Sequence, residues 1–220
     1  MNSIKENLLK ITQSVPQEVT LVAVSKTKPI SDLMIAYNAG QRIFGENKIQ
    51  EMAEKWEAMP KDISWHMIGH VQTNKVKYMA SFVSLVHAVD SLKLLKEINK
   101  QAKKHNRTIN CLLQIKIASE ESKFGLNEQE AKTILTSEEV KELTNVHIQG
   151  LMGMATFTDN KQQIKNEFAK IAKLFEELKP KHPQLTTLSI GMSGDYEIAI
   201  DSGSTMVRIG SSIFGVRNYS

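Results

Sequence analysis

The chain has 220 residues, of which 41% are hydrophobic and 24% are charged, and this composition suits one globular domain spanning residues 1–220. Its formal net charge is +4, but Lys and Glu residues are interleaved along the chain and no basic face is clustered. This pattern argues against a nucleic-acid-binding surface. No apolar run approaches the roughly 20 residues of a membrane span, the N-terminus lacks the apolar core of a signal peptide, and one cysteine, Cys111, cannot form a disulfide framework, so we expect a cytoplasmic protein.

Short β-rich segments alternate with longer helical patterns along the chain. The predicted strands are 20–25, 42–45, 64–68, 82–89, 109–117, 146–152, 186–190 and 205–209. The predicted helices are 3–13, 29–40, 47–58, 71–80, 91–105, 127–136, 160–179 and 195–201, with a last turn at 211–214. Strict alternation of eight strands with helices predicts an α/β fold with a parallel sheet. Eight strands close a (β/α)8 TIM-type barrel, and a doubly wound open sheet is the alternative.

The first predicted strand ends at a lysine. A barrel places its active site at the C-terminal ends of its strands, and Lys26 lies at such an end. Strand alternation puts it on the same face as Val22 and Val24, so its amine points into the barrel mouth. Burial disfavours an ammonium group, and a neutral amine is what Schiff-base formation requires. A lysine that extends from a strand end to solvent is the alternative.

Small residues follow the last two predicted strands. The segment Gly191-Met192-Ser193-Gly194 precedes one short helix, and Gly210-Ser211-Ser212 opens another. Small residues let the backbone approach an anion, and the free N–H groups of a helix start bind it. Barrels frequently bind phosphate with the loops after strands seven and eight. These segments therefore indicate a phosphate site, with ordinary turn chemistry as the alternative.

Three further polar residues are candidates for ligand contacts. Arg208 lies near the end of strand eight, which barrel closure pairs with the strand that carries Lys26. Its guanidinium would therefore favour the neutral form of the Lys26 amine or donate a hydrogen bond to a ligand nitrogen. A structural ion pair is its alternative role. Asn47 is a candidate donor to a phenolic or carbonyl oxygen, or a helix N-cap, and His66 lines the barrel or is a core histidine. His66 and His70 are too far apart on an extended segment to chelate an ion, so we predict no metal site.

Seven motifs carry a resemblance to a known family, in order from about residue 20 to residue 215. They are Ala23-Val24-Ser25-Lys26-Thr27-Lys28-Pro29, Phe44-Gly45-Glu46-Asn47, Trp65-His66-Met67-Ile68-Gly69, Ser122-Lys123-Phe124-Gly125, Gly150-Leu151-Met152-Gly153-Met154, Ser189-Ile190-Gly191-Met192-Ser193-Gly194-Asp195 and Arg208-Ile209-Gly210-Ser211-Ser212-Ile213-Phe214-Gly215. This series resembles the YggS/PROSC family of pyridoxal 5′-phosphate (PLP) homeostasis proteins. The resemblance implies an alanine-racemase-like barrel of PLP fold type III with the cofactor on Lys26. The resemblance implies phosphate contacts from Ser193, Gly194, Gly210 and Ser211, and it implies that Arg208 faces the pyridine nitrogen. With Asn47, His66 and Met192, these complete the set of cofactor-binding residues that we expect besides Lys26.

The resemblance also implies a function: holding PLP as a Schiff base on Lys26, buffering it and delivering it to PLP-dependent apoenzymes. A PLP-dependent amino-acid racemase of low activity is the alternative. An arginine at the pyridine nitrogen makes the ring a weak electron sink, the chain has no room for a second domain after its eighth unit, and no tyrosine lies at a predicted strand end. We therefore expect a monomeric carrier without catalytic residues. We also hypothesise that Lys123, after strand five, takes part in cofactor exchange.

Overall fold

Eight parallel strands close into a barrel in chain order, with the last strand paired to the first. The structure is a computed structural model that describes residues 3–118 and 124–215. The strands are β1 Thr20–Val24, β2 Ile43–Glu46, β3 Ser64–Met67, β4 Leu85–Val89, β5 Ile109–Ile115, β6 Val146–Gly153, β7 Thr187–Met192 and β8 Met206–Ile209. This topology confirms the predicted TIM-type barrel and excludes an open sheet, because β8 pairs with β1 from Thr20↔Met206 to Ala23↔Ile209.

Helices surround the barrel and connect its strands. They are α1 Ile4–Ser14, α2 Ile30–Asn38, α3 Ile49–Ala58, α4 Leu92–Lys104, α5 Glu128–Thr136, α6 Glu138–Lys141, α7 Lys161–Leu178, α8 Tyr196–Asp201 and α9 Ser211–Phe214. Several begin at residues that cap a helix N-terminus. Ser3 and Asn127 each form a capping box with a glutamate three residues later, and Ser91 accepts a hydrogen bond from the Leu94 N–H.

Three segments differ from the sequence prediction. The segment 71–80, predicted as an α-helix, contains a short 3-10 helix, Thr73–Tyr78, a geometry that is common in brief connectors. The strand predicted from residue 82 begins at Leu85, because the N–H groups of Phe82 and Val83 close a turn on the Met79 carbonyl. The four-residue helix α6 was not predicted.

Two apolar layers hold this architecture together. The barrel interior is filled by a small cluster that consists of Val22, Leu85, Ala88, Leu112, Met152 and Met206. A larger layer packs the outer faces of the strands against the helices, and its largest buried side chains include Trp65, Phe44 and Phe168. Because the interior is packed with side chains, the barrel has room for a ligand only at its mouth. Across the two described ranges, no helix is both long and apolar enough to cross a bilayer.

Candidate functional site

A cavity of about 630 Å³ opens at the C-terminal ends of the strands. Eight of the nine predicted cofactor-binding residues line it, and these are Lys26, Asn47, Met192, Ser193, Gly194, Arg208, Gly210 and Ser211. The ninth, His66, is buried in the barrel and is not among the lining residues. The size of the cavity falls within the range of about 300–1,000 Å³ that is usual for small-molecule sites.

Lys26 reaches the cavity because of the alternation along β1. Val22 is buried in the barrel interior, and both Val24 and Lys26 line the cavity above it. These three side chains share one face of the strand and its extension, as predicted. The strand therefore directs the lysine side chain into the barrel mouth.

A tight turn carries Lys26 beyond the end of β1. The Lys28 N–H donates to the Ser25 carbonyl at 3.1 Å, which closes a four-residue turn with Lys26 in the second position. Thr27, in the third position, has a φ of 63°. A positive φ at this position is typical of a type II turn, in which glycine or asparagine is favoured. A β-branched residue in this conformation is unfavourable and must be held by its surroundings.

A buried lysine holds this turn from below. Lys55, on α3, donates to the Ser25 carbonyl at 2.9 Å, to Glu46 Oε1 at 2.7 Å and to Glu51 Oε1 at 2.7 Å. The Ser25 hydroxyl also donates to Glu46 Oε1 at 2.6 Å, and the Thr27 N–H donates to Glu51 Oε1 at 2.6 Å. We call these five residues, Ser25, Thr27, Glu46, Glu51 and Lys55, the lysine cluster.

The charged groups of the lysine cluster are removed from solvent. Lys55 is 5% exposed and Glu46 is fully buried. Burial raises the pKa of Glu46, although the adjacent Lys55 ammonium opposes this shift. Among the described residues, Glu46 Oε2 has no hydrogen-bond partner. The cluster is therefore stable only while Lys55 supplies the compensating charge.

Arg208 lines the cavity from β8, the strand that pairs with β1. Its guanidinium donates to the Ser189 carbonyl at 2.8 Å, to the Ser189 hydroxyl at 2.5 Å and to the Gly153 carbonyl at 2.9 Å. Only 3% of the residue is exposed, and burial lowers its pKa to about 10, a shift that the negative field of Asp195 opposes. The group therefore stays a cation at neutral pH and presents N–H donors at the cavity wall.

A chain of neutral groups supports this arginine. The Ser189 hydroxyl accepts from Arg208 and also hydrogen-bonds to His87 Nδ1, 3.1 Å away. His87 Nε2 hydrogen-bonds to His66 Nδ1 at 3.0 Å, and His66 Nε2 faces the Ser64 hydroxyl at 3.4 Å. Arg208 can only donate, and the histidine tautomers set the direction of the other hydrogen bonds. We call Arg208, Ser189, His87 and His66 the arginine relay.

Both histidines in the relay are uncharged at neutral pH. Burial lowers the pKa of His66 to about 3. Burial also lowers the pKa of His87 well below its ordinary value, and the neighbouring His66 and Arg208 add to this shift. His66 thus contacts the cavity only through His87, Ser189 and Arg208. The structure places it inside the barrel, as the sequence analysis expected, but in a supporting position and not among the cavity-lining residues.

The loops after β7 and β8 meet beside Lys26. The Ser193 hydroxyl accepts a hydrogen bond from the Gly210 N–H at 3.1 Å, which ties the two loops together. A Cβ atom added to Gly210 would lie 3.1 Å from the Val24 carbonyl oxygen, so glycine allows this loop to approach β1. Ser211 begins α9, where the first N–H groups have no acceptor within the helix. The predicted phosphate segments therefore form one cradle of small residues in the cavity.

The remaining candidates fall at the rim or outside the cavity. Asn47 lines the cavity, and α3 takes its N-cap from Lys48, so Asn47 does not cap that helix. At the rim, His70 pairs with Asp90 at 3.2 Å and stacks on Phe124 with ring centroids 4.2 Å apart. Nowhere in the described ranges do three or more His, Cys, Asp or Glu residues form a group that could hold a metal ion.

Neither the cysteine nor the tyrosine next to strand β7 belongs to the cavity wall. Cys111 is fully buried, and burial raises its pKa, which fits a core thiol. The Tyr196 hydroxyl lies 3.1 Å from the Ser14 hydroxyl, away from the cavity lining. Lys123 and Tyr219 lie outside the described residues.

The sequence analysis missed the supporting residues of the site. Lys55 gave one usable signal: it follows Ile49 and Met52 at three-residue intervals on the buried face of α3, where a lysine is unusual. Glu51, four residues before it, is placed to form a helical ion pair. Ser189 and His87 gave no comparable signal, because their partners come from strands that are distant in sequence.

Similar proteins bear on this site. The family described as alanine racemase, N-terminal domain, matches residues 1–218. The pyridoxal phosphate homeostasis protein of Haemophilus influenzae is 43% identical over 207 residues, covering 92% of this chain and 86% of that protein. The structure of PipY from Synechococcus elongatus with PLP bound has a TM-score of 0.88 and 32% identity, covering 97% of this chain and all of that chain. An alanine racemase from Clostridium difficile, at 14% identity and a TM-score of 0.83, shares the fold over 99% of this chain and 60% of its own.

Proposed function

This chain belongs to the alanine racemase N-terminal domain family, and from this premise we propose that it binds PLP as a Schiff base on Lys26 and maintains PLP homeostasis by buffering and delivering the cofactor. The observation that carries the proposal is the convergence of Lys26, Arg208 and the Ser193–Gly210 cradle on one cavity. The Haemophilus relative is named for PLP homeostasis, and the PipY structure contains PLP.

The residues of the cavity fit the chemical groups of PLP. The cofactor supplies an aldehyde that condenses with a primary amine and releases water, and Lys26 is the amine that β1 directs into the cavity. The cradle at Ser193, Gly194, Gly210 and Ser211 offers N–H and hydroxyl groups suited to a phosphate. Arg208 offers fixed N–H donors suited to the pyridine nitrogen, and Asn47 an amide suited to the phenolic oxygen.

The polar groups of the cavity favour a carrier over an amino-acid racemase. A two-base racemase removes a proton from one face of carbon and returns a proton to the other, so it needs a second acid–base group besides Lys26. Within residues 3–118 and 124–215, no tyrosine lines the cavity. Arg208 keeps its proton at neutral pH, which makes it a hydrogen-bond donor to the ring rather than an acid that strengthens the ring as an electron sink.

Delivery of PLP is the activity that separates these two functions. Protein loaded with PLP and freed of excess cofactor is mixed with a PLP-dependent apoenzyme, and recovery of the apoenzyme's activity is followed. A carrier restores activity while racemising L-alanine no faster than free PLP does. Racemisation well above the rate with free PLP would favour the racemase function, and failure to restore any apoenzyme would contradict delivery.

A further inference from the structure

The turn that carries Lys26 does not maintain its own shape. Thr27 has a φ of 63°, a conformation that suits glycine or asparagine and that a β-branched side chain disfavours. The turn has one internal hydrogen bond, from the Lys28 N–H to the Ser25 carbonyl at 3.1 Å. Its geometry therefore depends on groups outside the turn.

Those groups come from one side of α3 and the end of β2. An ammonium has three N–H donors, and Lys55 directs them to the Ser25 carbonyl, Glu46 and Glu51. Glu51 accepts from Thr27 as well as from Lys55. One buried cation thus fixes both neighbours of Lys26, Ser25 before it and Thr27 after it.

Lys26 points away from this support. Its side chain lines the cavity, whereas Glu46 and Lys55 are buried and absent from the cavity lining. Glu51 is likewise absent from the cavity lining, so none of the three touches the space that a ligand occupies. The hydrogen bonds of the cluster therefore reach Lys26 through the backbone of residues 25–27.

We propose that Glu46, Glu51 and Lys55 are positioning residues, which hold the strained turn so that the Lys26 amine is presented to the cofactor aldehyde. This inference rests on the proposed function, because it concerns the same lysine. It adds that the yield of Schiff base depends on an acceptor for the Thr27 N–H, supplied by Glu51 from α3.

Glu51 is the residue to change, because it is partly exposed and its loss leaves Lys55 paired with Glu46. The full chain is prepared as wild type, Glu51→Ala, Glu51→Gln and Thr27→Gly/Glu51→Ala, with Glu54→Ala as the matched control. Glu54 is an exposed residue of the same helix. Three quantities are measured: the borohydride-fixed fraction of PLP by intact mass, the exchange rate of the Thr27 amide without PLP, and the thermal midpoint.

Loss of a charged acceptor should lower the Schiff-base equilibrium constant of Glu51→Ala by about tenfold and speed exchange of the Thr27 amide by a similar factor. Glu51→Gln keeps an acceptor oxygen and should retain most of the wild-type yield. Glycine adopts a positive φ without strain, so Thr27→Gly/Glu51→Ala should recover much of the loss. Glu54→Ala should match the wild type in all three measurements.

Two results would overturn the inference. One is a wild-type Schiff-base yield in Glu51→Ala when its Thr27 amide exchanges faster. The other is a yield that falls only as far as the unfolded fraction rises and that Thr27→Gly does not restore, which would give the cluster a purely structural role. If the wild type itself fixes no PLP, the proposed function fails and this inference fails with it.

Discussion

Two adjoining parts of the cavity wall are supported by different chemistry. Beneath β1 and β2, the lysine cluster places the Lys55 ammonium between two carboxylates in a buried site. Beneath β7 and β8, the arginine relay supports Arg208 with carbonyl and hydroxyl oxygens and two neutral imidazoles. The first support is an ion pair, and the second is a chain of hydrogen bonds between uncharged groups that ends at the arginine.

This difference matches what each part must hold. The lysine cluster fixes a strained backbone turn, and charge-assisted hydrogen bonds are the strong ones. The arginine relay fixes the orientation of one guanidinium. Neutral imidazoles do this without adding positive charge beside Arg208. The two supports should therefore fail under different perturbations.

Removal of Lys55 should have the largest effect on stability. Lys55→Met leaves Glu46 as an unpaired buried carboxylate, and breaking such a pair typically costs about 3–5 kcal/mol of unfolding free energy. The double variant Glu46→Leu/Lys55→Met, which removes both charges, should be more stable than Lys55→Met in urea unfolding. Lys10→Met, at an exposed position on α1, should change stability by less than about 0.5 kcal/mol. A double variant as unstable as Lys55→Met would show that the pair is not the source of the loss.

Interruption of the arginine relay should lower the unfolding free energy by less than the loss of Lys55 does. Ser189→Ala removes the hydroxyl between Arg208 and His87, so two polar groups lose a buried partner. We expect a loss of about 1–3 kcal/mol and weaker PLP binding, measured by urea unfolding and by titration. Ser81→Ala, at an exposed position, serves as the control. Unchanged stability in Ser189→Ala would contradict the relay.

Acidification should affect the stability contributed by the two supports in opposite directions, because the pKa of His66 is lowered and the pKa of Glu46 is raised. Burial lowers the pKa of His66 to about 3. As the pH falls below about 6.5, this imidazole is therefore protonated in the unfolded chain but stays neutral in the folded chain. Stability from this group is present above pH 6.5 and falls by about 2 kcal/mol between pH 7 and pH 5. His66→Gln should flatten that decline in urea unfolding at each pH.

The pKa of Glu46 is raised above its ordinary value of 4.5, so its favourable contribution is present below pH 4.5 and is lost as the pH rises through the folded pKa. Glu46→Gln should consequently lose stability more steeply on acidification than the wild type. If both His66→Gln and Glu46→Gln lose stability on acidification as the wild type does, these two pKa shifts do not control the acid dependence.

The smallest expected effect concerns the strained turn itself. Thr27→Gly removes the penalty of a positive φ but gains unfolded-state entropy, so the net stabilisation should not exceed about 1 kcal/mol. Asn106→Gly tests the same change at φ 52°, where asparagine is already tolerated, and should give little or no gain. Thermal unfolding of both variants compares them directly. A clear loss of stability in Thr27→Gly would show that the turn is not strained.

Much of the fold could be read from local sequence. Buried strands of a parallel barrel are short apolar runs, so the segment predicted at 20–25 differs from β1 by one residue. The connection at Thr73–Tyr78 was harder, because a short helical pattern does not distinguish α from 3-10 geometry. Strand alternation was also sufficient to predict that the Lys26 side chain points into the cavity.

Most contacts that support the site could not be predicted from the sequence, for a physical reason. Charged residues are rarely buried unless paired, so a lysine on α3 and a glutamate ending β2 are not expected to meet in the interior. Their contacts to Ser25 arise because β2 pairs with β1 in the folded barrel. His66 was correctly placed in the barrel. However, its link to Arg208 requires His87 and Ser189 from two other strands.

The most direct test of the proposed function is the position of the fixed cofactor. The protein is incubated with PLP, reduced with borohydride and digested, and the pyridoxyl-bearing peptide is identified by mass spectrometry for the wild type and for Lys26→Ala. We predict one modified residue, Lys26, in the wild type and no fixed cofactor in a folded Lys26→Ala variant. A label on another lysine, or an equal label in both proteins, would contradict the assignment of Lys26 as the cofactor lysine.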